Sequence, residues 1–191
     1  TGMDFANGLR AILRQDPDII AVGEIRDGET AQISMRAAIT GHVVLSTIHT
    51  NDAVGTIERL EDIGVEPYLI ATALRAVISQ RLVRRICPKC KKSYEATDEE
   101  VRRLGLSTGH KHIFYHGEGC ADCFNTGYRG RIGVFEILEI TPEIRPLISR
   151  QAGRPAIEEE LASDRSDFRT LRENAIELVE NGITTAEEVQ R

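Results

Sequence analysis

The chain has 191 residues, of which 41% are hydrophobic and 28% are charged, and its formal net charge at pH 7 is -6. This length and composition exclude a disordered chain and allow one substantial core with a small additional domain. The acidic balance argues against a nucleic-acid-binding surface over the whole molecule, and no apolar run approaches the length that crosses a bilayer.

The first part of the sequence alternates predicted helices and strands. Apolar residues at helical spacing predict a first helix that Pro17 ends. The apolar run 19–22 predicts a strand at 18–22 that is buried on both faces, as in a parallel sheet. The alternation is typical of an α/β layer with parallel strands. Further helices are predicted at 27–40, 53–62 and 66–80, and a second strand is predicted at 42–48.

The composition changes at Cys87, and the insert that follows to about Gly127 has few aliphatic residues. Inside this insert, Thr97 and Glu100 predict a capping box at the start of a short helix. The stretch "GYRGRIGVFEILEI" then predicts a pair of strands. We therefore expect three segments, at residues 1–86, 87–127 and 128–191.

The last segment carries two helix signals. Thr141-Pro142 predicts the start of one helix, because a capping residue is followed by proline at the first helical position. Apolar residues from Phe168 to Val179 predict a final amphipathic helix, which Asn181-Gly182 closes.

The four cysteines of the chain occur in two Cys-x-x-Cys pairs. Each pair can present two thiolates from one tight turn, and four thiolates around one ion form the tetrahedral arrangement of structural zinc. Two redox pairs and four ordinary thiols are the alternatives. The histidines between the pairs are expected to be exposed loop residues rather than ligands. The predicted zinc ligands are Cys87, Cys90, Cys120 and Cys123.

Two titratable residues follow the two predicted strands. Glu24 comes after "DIIAVG", and His49 lies in "TGHVVLSTIHTNDA". Because parallel strands end at the same edge of a sheet, we expect these side chains to lie close together, where one activates water and the other stabilises negative charge. A structural ion pair between Glu24 and Arg26 is the alternative for the first residue. Helix capping by Asp52 or a neighbour accounts for part of the second motif, but it does not account for His49.

The order of four blocks resembles the type II secretion and type IV pilus assembly ATPases over essentially the whole chain. These blocks are "LRAILRQDPDIIAVGEIRDGETAQ", "TGHVVLSTIHTNDA", "QRLVRRICPKC" and "GYRGRIGVFE". The resemblance implies an α/β fold that is the C-terminal part of a RecA-like P-loop ATPase domain, with a tetracysteine zinc subdomain and a helical C-terminal tail. It favours pilus extension or secretion, because retraction members of the family lack the tetracysteine insert.

The resemblance also implies roles for individual residues. Glu24 corresponds to the Walker B glutamate, which orients or deprotonates the attacking water with the help of Mg²⁺, and His49 lies near the γ-phosphate of ATP. His42 is the other histidine of the same box, with a structural role. The arginines that match the family pattern are candidates for contacts with phosphate or a neighbouring subunit, although a solvated helix face is the alternative for at least one; they are Arg10, Arg14 and Arg26.

One departure concerns activity. The sequence contains no Gly-x-x-x-x-Gly-Lys-Ser/Thr, the loop that cradles phosphates. The resemblance implies that this loop precedes Thr1, so that the chain is the C-terminal half of the motor and is inactive alone. The intact protein is expected to be a homohexamer that acts on an inner-membrane platform protein. It is expected in the cytoplasm at the inner face of the membrane.

A zinc-knuckle module that binds nucleic acid or protein without catalysis is the alternative function. A basic stretch favours it, although stacking aromatic residues are scarce there and the hypothesis gives no role to Glu24 and His49. For these reasons no nucleic-acid partner is expected. The basic stretch consists of Arg81, Arg84, Arg85, Lys89, Lys91 and Lys92.

Overall fold

The structure, a computed structural model, describes residues 4–163 and 166–190, and contacts divide the chain into two compact units. Unit 1 takes in the described residues of Thr1–Ser79 and Ile137–Phe168, and unit 2 those of Gln80–Glu136 and Arg169–Arg191. The division into three segments at residues 86 and 127 stays a prediction.

The elements follow one another in this order. The first part of the chain forms α1 (Phe5–Leu13), β1 (Ile19–Val22), α2 (Gly28–Ile39), β2 (Val43–Ser46), α3 (Val54–Asp62), α4 (Pro67–Ala73) and β3 (Ala76–Ile86). The second part forms β4 (Lys91–Glu95), α5 (Asp98–Leu104), β5 (Ile113–Gly117), a 3-10 turn (Ala121–Cys123), β6 (Tyr128–Glu139), α6 (Ile144–Ser149), α7 (Arg154–Leu161), α8 (Leu171–Glu180) and α9 (Ala186–Val189). No helix in the described part of the chain has the length and apolar character that a membrane crossing requires.

Polar side chains set the starts of several helices. The Asp27 carboxylate accepts a hydrogen bond of 2.8 Å from the backbone N–H of Thr30 and caps α2. The predicted capping box at Thr97 and Glu100 is confirmed at the start of α5. The same device, with Thr170 as the cap, begins α8. These caps satisfy backbone N–H groups that have no partner inside the helix.

Three predicted boundaries were wrong. The helix predicted at 66–80 ends at Ala73, and the residues from Ala76 onward form β3, because hydrogen bonding to β6 outweighs local helical spacing. The helix predicted at Thr141-Pro142 begins only at Ile144. Phe168 precedes α8 and packs instead against the core of unit 1.

β1 and β2 pair in parallel, with Ile20 opposite Val44. The prediction that β1 is buried on both faces was wrong. Ile20 and Val22 are buried against residues of α1 and α2, which cover one face of the pair. The apolar side chains on the other face remain exposed, at 64% for Ile19, 53% for Val43 and 59% for Leu45.

Unit 1 has a second and larger core formed by α2, α3, α4, α6 and α7. Its fully buried members include Ile70, Leu138 and Ile144. The backbone N–H of Ile140 donates to the carbonyl of Arg75, which ties the end of β6 to the start of β3 within this unit.

Unit 2 is built from strand pairs and from the last two helices. β4 and β5 pair antiparallel, and Phe114 packs with Val179 in a small apolar cluster. Arg84 donates 2.7 and 3.0 Å hydrogen bonds to the carboxylate of Glu188, whose side chain is 4% exposed. This ion pair joins β3 to α9, and removal of the Arg84 side chain would take two charge-assisted hydrogen bonds from a buried carboxylate.

The exposed face of β1 and β2 predicts self-association of the chain as printed. Open strand edges and apolar faces favour pairing between copies. Leu45→Lys should shift the sedimentation profile toward smaller species at a given concentration. Ile113→Lys, which changes an exposed apolar residue of unit 2, is the matched control and should leave the profile unchanged. A strictly monomeric parent chain at high concentration would contradict the prediction.

Candidate functional site

Glu24 and His49 meet just beyond the ends of β1 and β2. Glu24 is the second residue after β1, and His49 is the third after β2. The distance between Oε2 of Glu24 and Nε2 of His49 is 3.5 Å. The parallel pairing of the strands brings these residues to one edge, as the sequence pattern predicted.

Thr47 joins the two loops on both sides of Glu24. Its hydroxyl donates a 2.7 Å hydrogen bond to the carbonyl of Gly23, and its carbonyl accepts a 2.8 Å hydrogen bond from the backbone N–H of Ile25. The backbone of Glu24 is therefore held between two hydrogen bonds to one residue of the other loop. The polar character of the second motif was visible in the sequence, but this role of Thr47 was not.

The Glu24 carboxylate has a second cationic neighbour. Arg26 donates a short hydrogen bond to Oε1 of Glu24, so the predicted alternative, an ion pair between these residues, is present beside His49. The Arg26 hydrogen bond and charge, with a smaller effect of His49, hold the pKa of Glu24 below its ordinary value. Glu24 is consequently an ionised carboxylate near neutral pH. The side chain of Arg26 is 70% exposed and that of His49 is 93% exposed, so both can meet a ligand.

The other candidate residues have no contact with Glu24 among the described contacts. Arg10 pairs with Glu29 and also donates to the side chain of Asn7. Arg14 is exposed at the C-terminal end of α1. Nδ1 of His42 lies 3.0 Å from the carbonyl of Ala37, a contact that fits a structural role at the end of α2.

Asp52 behaves as the predicted cap and has a partner that the sequence did not indicate. Its Oδ1 accepts a 2.7 Å hydrogen bond from the backbone N–H of Gly55 near the start of α3. Arg154 Nη2, from the start of α7, donates a 2.8 Å hydrogen bond to Oδ2 of the same carboxylate. The 102-residue separation explains why the sequence gave no signal for this contact.

The four cysteines form a compact cluster in unit 2. Their sulfur atoms all lie within 4.8 Å of one another. The individual separations are 3.9 Å for Cys87 and Cys120, 3.9 Å for Cys90 and Cys123, and 3.7 Å for Cys120 and Cys123. Four sulfurs around a tetrahedral zinc ion, at about 2.3 Å from the metal, stand about 3.8 Å apart. These three separations match the tetrahedral spacing, so the cluster is suited to such an ion.

The cluster also carries the electrostatic features of a metal site. Burial, with hydrogen bonds from neighbouring thiols, raises the pKa of Cys90 to about 12. Burial alone would also raise the pKa of Cys123, but hydrogen bonds from the backbone at Cys120 and Gly127 outweigh it and lower this pKa to about 6. A cation would offset the cost of holding further thiolates at this position.

The histidines of the insert lie outside this cluster. His110 and His112 are not buried, and their ring centroids lie 4.3 Å apart. His112 Nε2 contacts the carbonyl of Ser107. Within residues 4–163 and 166–190, the cysteines are the only group of three or more potential metal-ligating side chains with this spacing.

Two residues of the basic stretch, Arg84 and Lys91, make contacts inside unit 2. Arg84 binds Glu188 and lies over the ring of Tyr128, at 4.0 Å from the ring centroid. Lys91 lies over the ring of Tyr115, at 4.2 Å from its centroid. These contacts leave a smaller number of free cations than the sequence suggested for a nucleic-acid surface.

Comparison with known proteins gives matches over nearly the whole chain. The family described as "Type II/IV secretion system protein" matches residues 1–191. The type II secretion system ATPase E of Vibrio cholerae is 48% identical over 189 residues, which cover 99% of this chain and 37% of that protein. The type IV pilus assembly ATPase PilB of Thermus thermophilus is 50% identical over 190 residues, which cover 98% of this chain and 21% of that protein.

Solved structures show the same fold. The pilus retraction motor PilT with bound ADP matches with a TM-score of 0.65 and 28% identity, over 97% of this chain and 42% of PilT. The ATPase DotB of Legionella pneumophila matches with a TM-score of 0.66 and 24% identity, over 98% of this chain and 41% of DotB. The α/β fold is thus shared with these ATPases, and the chain spans less than half the length of each of these proteins.

The contact between Arg26 and Glu24 predicts a change in carboxylate titration. Because Arg26 lowers the pKa of Glu24 in the folded chain, Arg26→Gln should raise that pKa toward its ordinary value. The stability that this contact contributes is present above the unfolded pKa, is lost as pH falls through the folded pKa, and should be missing in the variant. A ¹³C NMR titration of the Glu24 carboxyl measures the shift. The matched control is Arg36→Gln, which removes an exposed arginine of α2. An equal Glu24 pKa in parent and Arg26→Gln would contradict the assignment.

Proposed function

The chain belongs to the type II/IV secretion system protein family, and we propose that it forms part of a hexameric ATPase motor that powers type II secretion or type IV pilus assembly. The observation that carries this proposal is the meeting of Glu24 and His49, 3.5 Å apart, at the ends of two parallel strands. Open α/β sheets bind their ligands at this edge.

Glu24 would serve as the base of the reaction. Its carboxylate is kept ionised by Arg26 and accepts a proton from the attacking water. His49 is exposed and lies on the same edge, so its imidazole can donate a hydrogen bond to a γ-phosphate oxygen as charge develops there. Mg²⁺, when bound, neutralises charge on the phosphate oxygens. The chain's own contribution is to hold base and donor at one place.

The exposed arginines would act between subunits or on phosphate. Arg26 is 70% exposed and already stands beside Glu24, which makes it the arginine best placed to contact a phosphate. Arg10 lies on α1 and Arg14 directly follows it, where an adjacent subunit of a ring would reach them. His42 would retain its structural role at the end of α2.

Turnover would require a phosphate-binding loop that the printed sequence does not contain. Catalysis of phosphoryl transfer rests on positioning and charge stabilisation, and such a loop supplies both for the β- and γ-phosphates. We therefore expect no ATP hydrolysis by the printed chain alone. The motor in which it works would lie in the cytoplasm against the inner membrane, where a platform protein is its partner.

The cysteine cluster would hold a structural zinc ion in unit 2. Four thiol ligands would fill the tetrahedral coordination of one zinc ion, which suits a structural ion because a catalytic ion keeps one position open. With this cluster, secretion and pilus extension are both preferred over retraction. The similar identities to the secretion and pilus relatives, 48% and 50%, favour neither of the two pathways.

A binding module without catalysis is less well supported. Arg84 and Lys91 of the basic stretch have partners inside unit 2. This alternative also gives no role to the contact between Glu24 and His49. A continuous basic groove across the free lysines and arginines would be needed to favour it.

Glu24→Gln tests the catalytic proposal. The substitution keeps the shape of the side chain and removes the base, so ATP binding should persist while turnover falls by about 10²-fold or more. The assay uses this sequence joined to the preceding region of the Vibrio cholerae relative, and the printed chain alone should show no turnover. Glu99→Gln, an exposed residue of α5, is the control. Turnover close to the parent value in Glu24→Gln would return Glu24 to a purely structural role.

Metal analysis and limited proteolysis test the zinc proposal. The insert has few aliphatic residues, so metal affinity would be a part of its folding free energy. The purified chain should contain about one equivalent of zinc. Cys87→Ser should make unit 2 sensitive to protease while unit 1 is less affected, and His112→Ala should retain the metal. A fully folded chain that contains no metal would overturn the proposal.

A further inference from the structure

The loop that carries His49 is fastened at both ends and exposed in the middle. On the N-terminal side, Thr47 is bound to the residues that flank Glu24. On the C-terminal side, the hydroxyls of Thr50 and Thr56 lie 2.9 Å apart, and Asp52 follows immediately. His49 lies between these two sets of hydrogen bonds, and its side chain is 93% exposed. The position of the imidazole therefore depends on where the loop is held.

Arg154 supplies the strongest contact on the C-terminal side. Its Nη2 and Nη1 lie 2.8 and 3.3 Å from Oδ2 and Oδ1 of Asp52, which is a bidentate arrangement. The Arg154 side chain is 37% exposed and that of Asp52 is 29% exposed, so the pair is partly shielded from water. Such a contact fixes the orientation of two groups more precisely than a lysine would.

The start of α7 holds Arg154 in place. Gly153, at φ 81°, precedes it, and Pro155 follows it in the first turn of the helix. Nε of Arg154 donates a 2.6 Å hydrogen bond to Glu158 one turn later, and Nη1 lies 3.7 Å from Glu58 on α3. The carboxylates of Glu158 and Glu58 therefore help to orient the guanidinium that binds Asp52.

The carboxylate that Arg154 binds is also the one that caps α3. Oδ1 of Asp52 accepts the Gly55 N–H and, at 3.3 Å, also contacts Nη1 of Arg154. Arg154 adds two further contacts, which fix the orientation of the Asp52 carboxylate. Burial alone would raise the pKa of Asp52, and the hydrogen bonds from Arg154 and from Gly55 lower it, so the group is charged in the folded state.

We propose that Arg154 is a positioning residue that, through Asp52, holds the His49 loop against the loop of Glu24. Its importance for turnover rests on the function proposed above, whereas its effect on the loop does not. Arg154 touches neither Glu24 nor His49 in its described contacts, so any effect on the loop passes through its partners, of which Asp52 lies next to the loop.

Amide hydrogen exchange of the printed chain tests the effect on the loop directly. In Arg154→Met, the amides of Gly55 and Ile25 should exchange about tenfold faster, because the contacts that protect them open more often. The amide of Gly8 in α1 should keep its rate, whereas a general loss of stability would accelerate all three. Arg103→Met, which removes an exposed ion pair of α5, is the matched control. Unchanged rates at Gly55 and Ile25 would overturn the proposal.

A double-mutant cycle in the joined chain tests the effect on turnover. Arg154→Met should lower kcat by about 10-fold with little change in KM, since a small displacement of a catalytic group costs rate more than binding. Asp52→Asn keeps an acceptor for Gly55 and loses the ion pair, and the double variant should be no slower than the slower single variant. Arg154→Lys should restore part of the rate. Additive losses would show that Arg154 does not act through Asp52 and would overturn the proposal.

The two experiments separate the two ideas. If the joined chain does not hydrolyse ATP, the proposed function fails while the exchange rates still decide the role of Arg154. If exchange accelerates at Gly55 and Ile25 but kcat is unchanged, the loop is held by Arg154 and its position is irrelevant to turnover, which overturns the catalytic part of the inference.

Discussion

The parallel pairing of β1 and β2 is the constraint on which the site depends. Parallel strands require a crossover, which α2 provides, and they end at the same edge with their loops side by side. Thr47 fixes the position of one loop relative to the other, because it binds the backbone on both sides of Glu24. Glu24 and His49 lie on different loops, and the bonds of Thr47 hold these two loops together at the edge of the sheet.

Much of this arrangement could be predicted from the sequence. The apolar runs identified both strands, and the residues that follow them identified Glu24 and His49. The wrong predictions concern segments whose secondary structure or burial is set by contacts with distant parts of the chain. The segment after Ala73 has helical spacing but pairs with β6, and β1 has an apolar sequence although only one of its faces is covered among the described residues. Arg154 could not be found, since its partner lies in another part of the chain.

The two units are stabilised by different kinds of contact. Unit 1 buries aliphatic side chains from five helices in one cluster. The described residues of unit 2 form small apolar clusters, to which the unit adds the ion pair between Arg84 and the buried Glu188 and a close cluster of four cysteines. Directional contacts thus replace bulk burial where aliphatic residues are scarce.

Both units are discontinuous in sequence, and this interleaving governs the order of events during synthesis. Unit 1 opens with the first strands but is completed only when Ile137–Phe168 has emerged from the ribosome. The cysteines are made earlier than Val179 and Glu188, which close the apolar cluster and the ion pair of unit 2. At about 5–20 residues per second, several seconds separate the synthesis of the cysteines from the synthesis of these two residues. The four cysteines contact one another and residues of the same segment, so their cluster can form before the rest of unit 2 has been made.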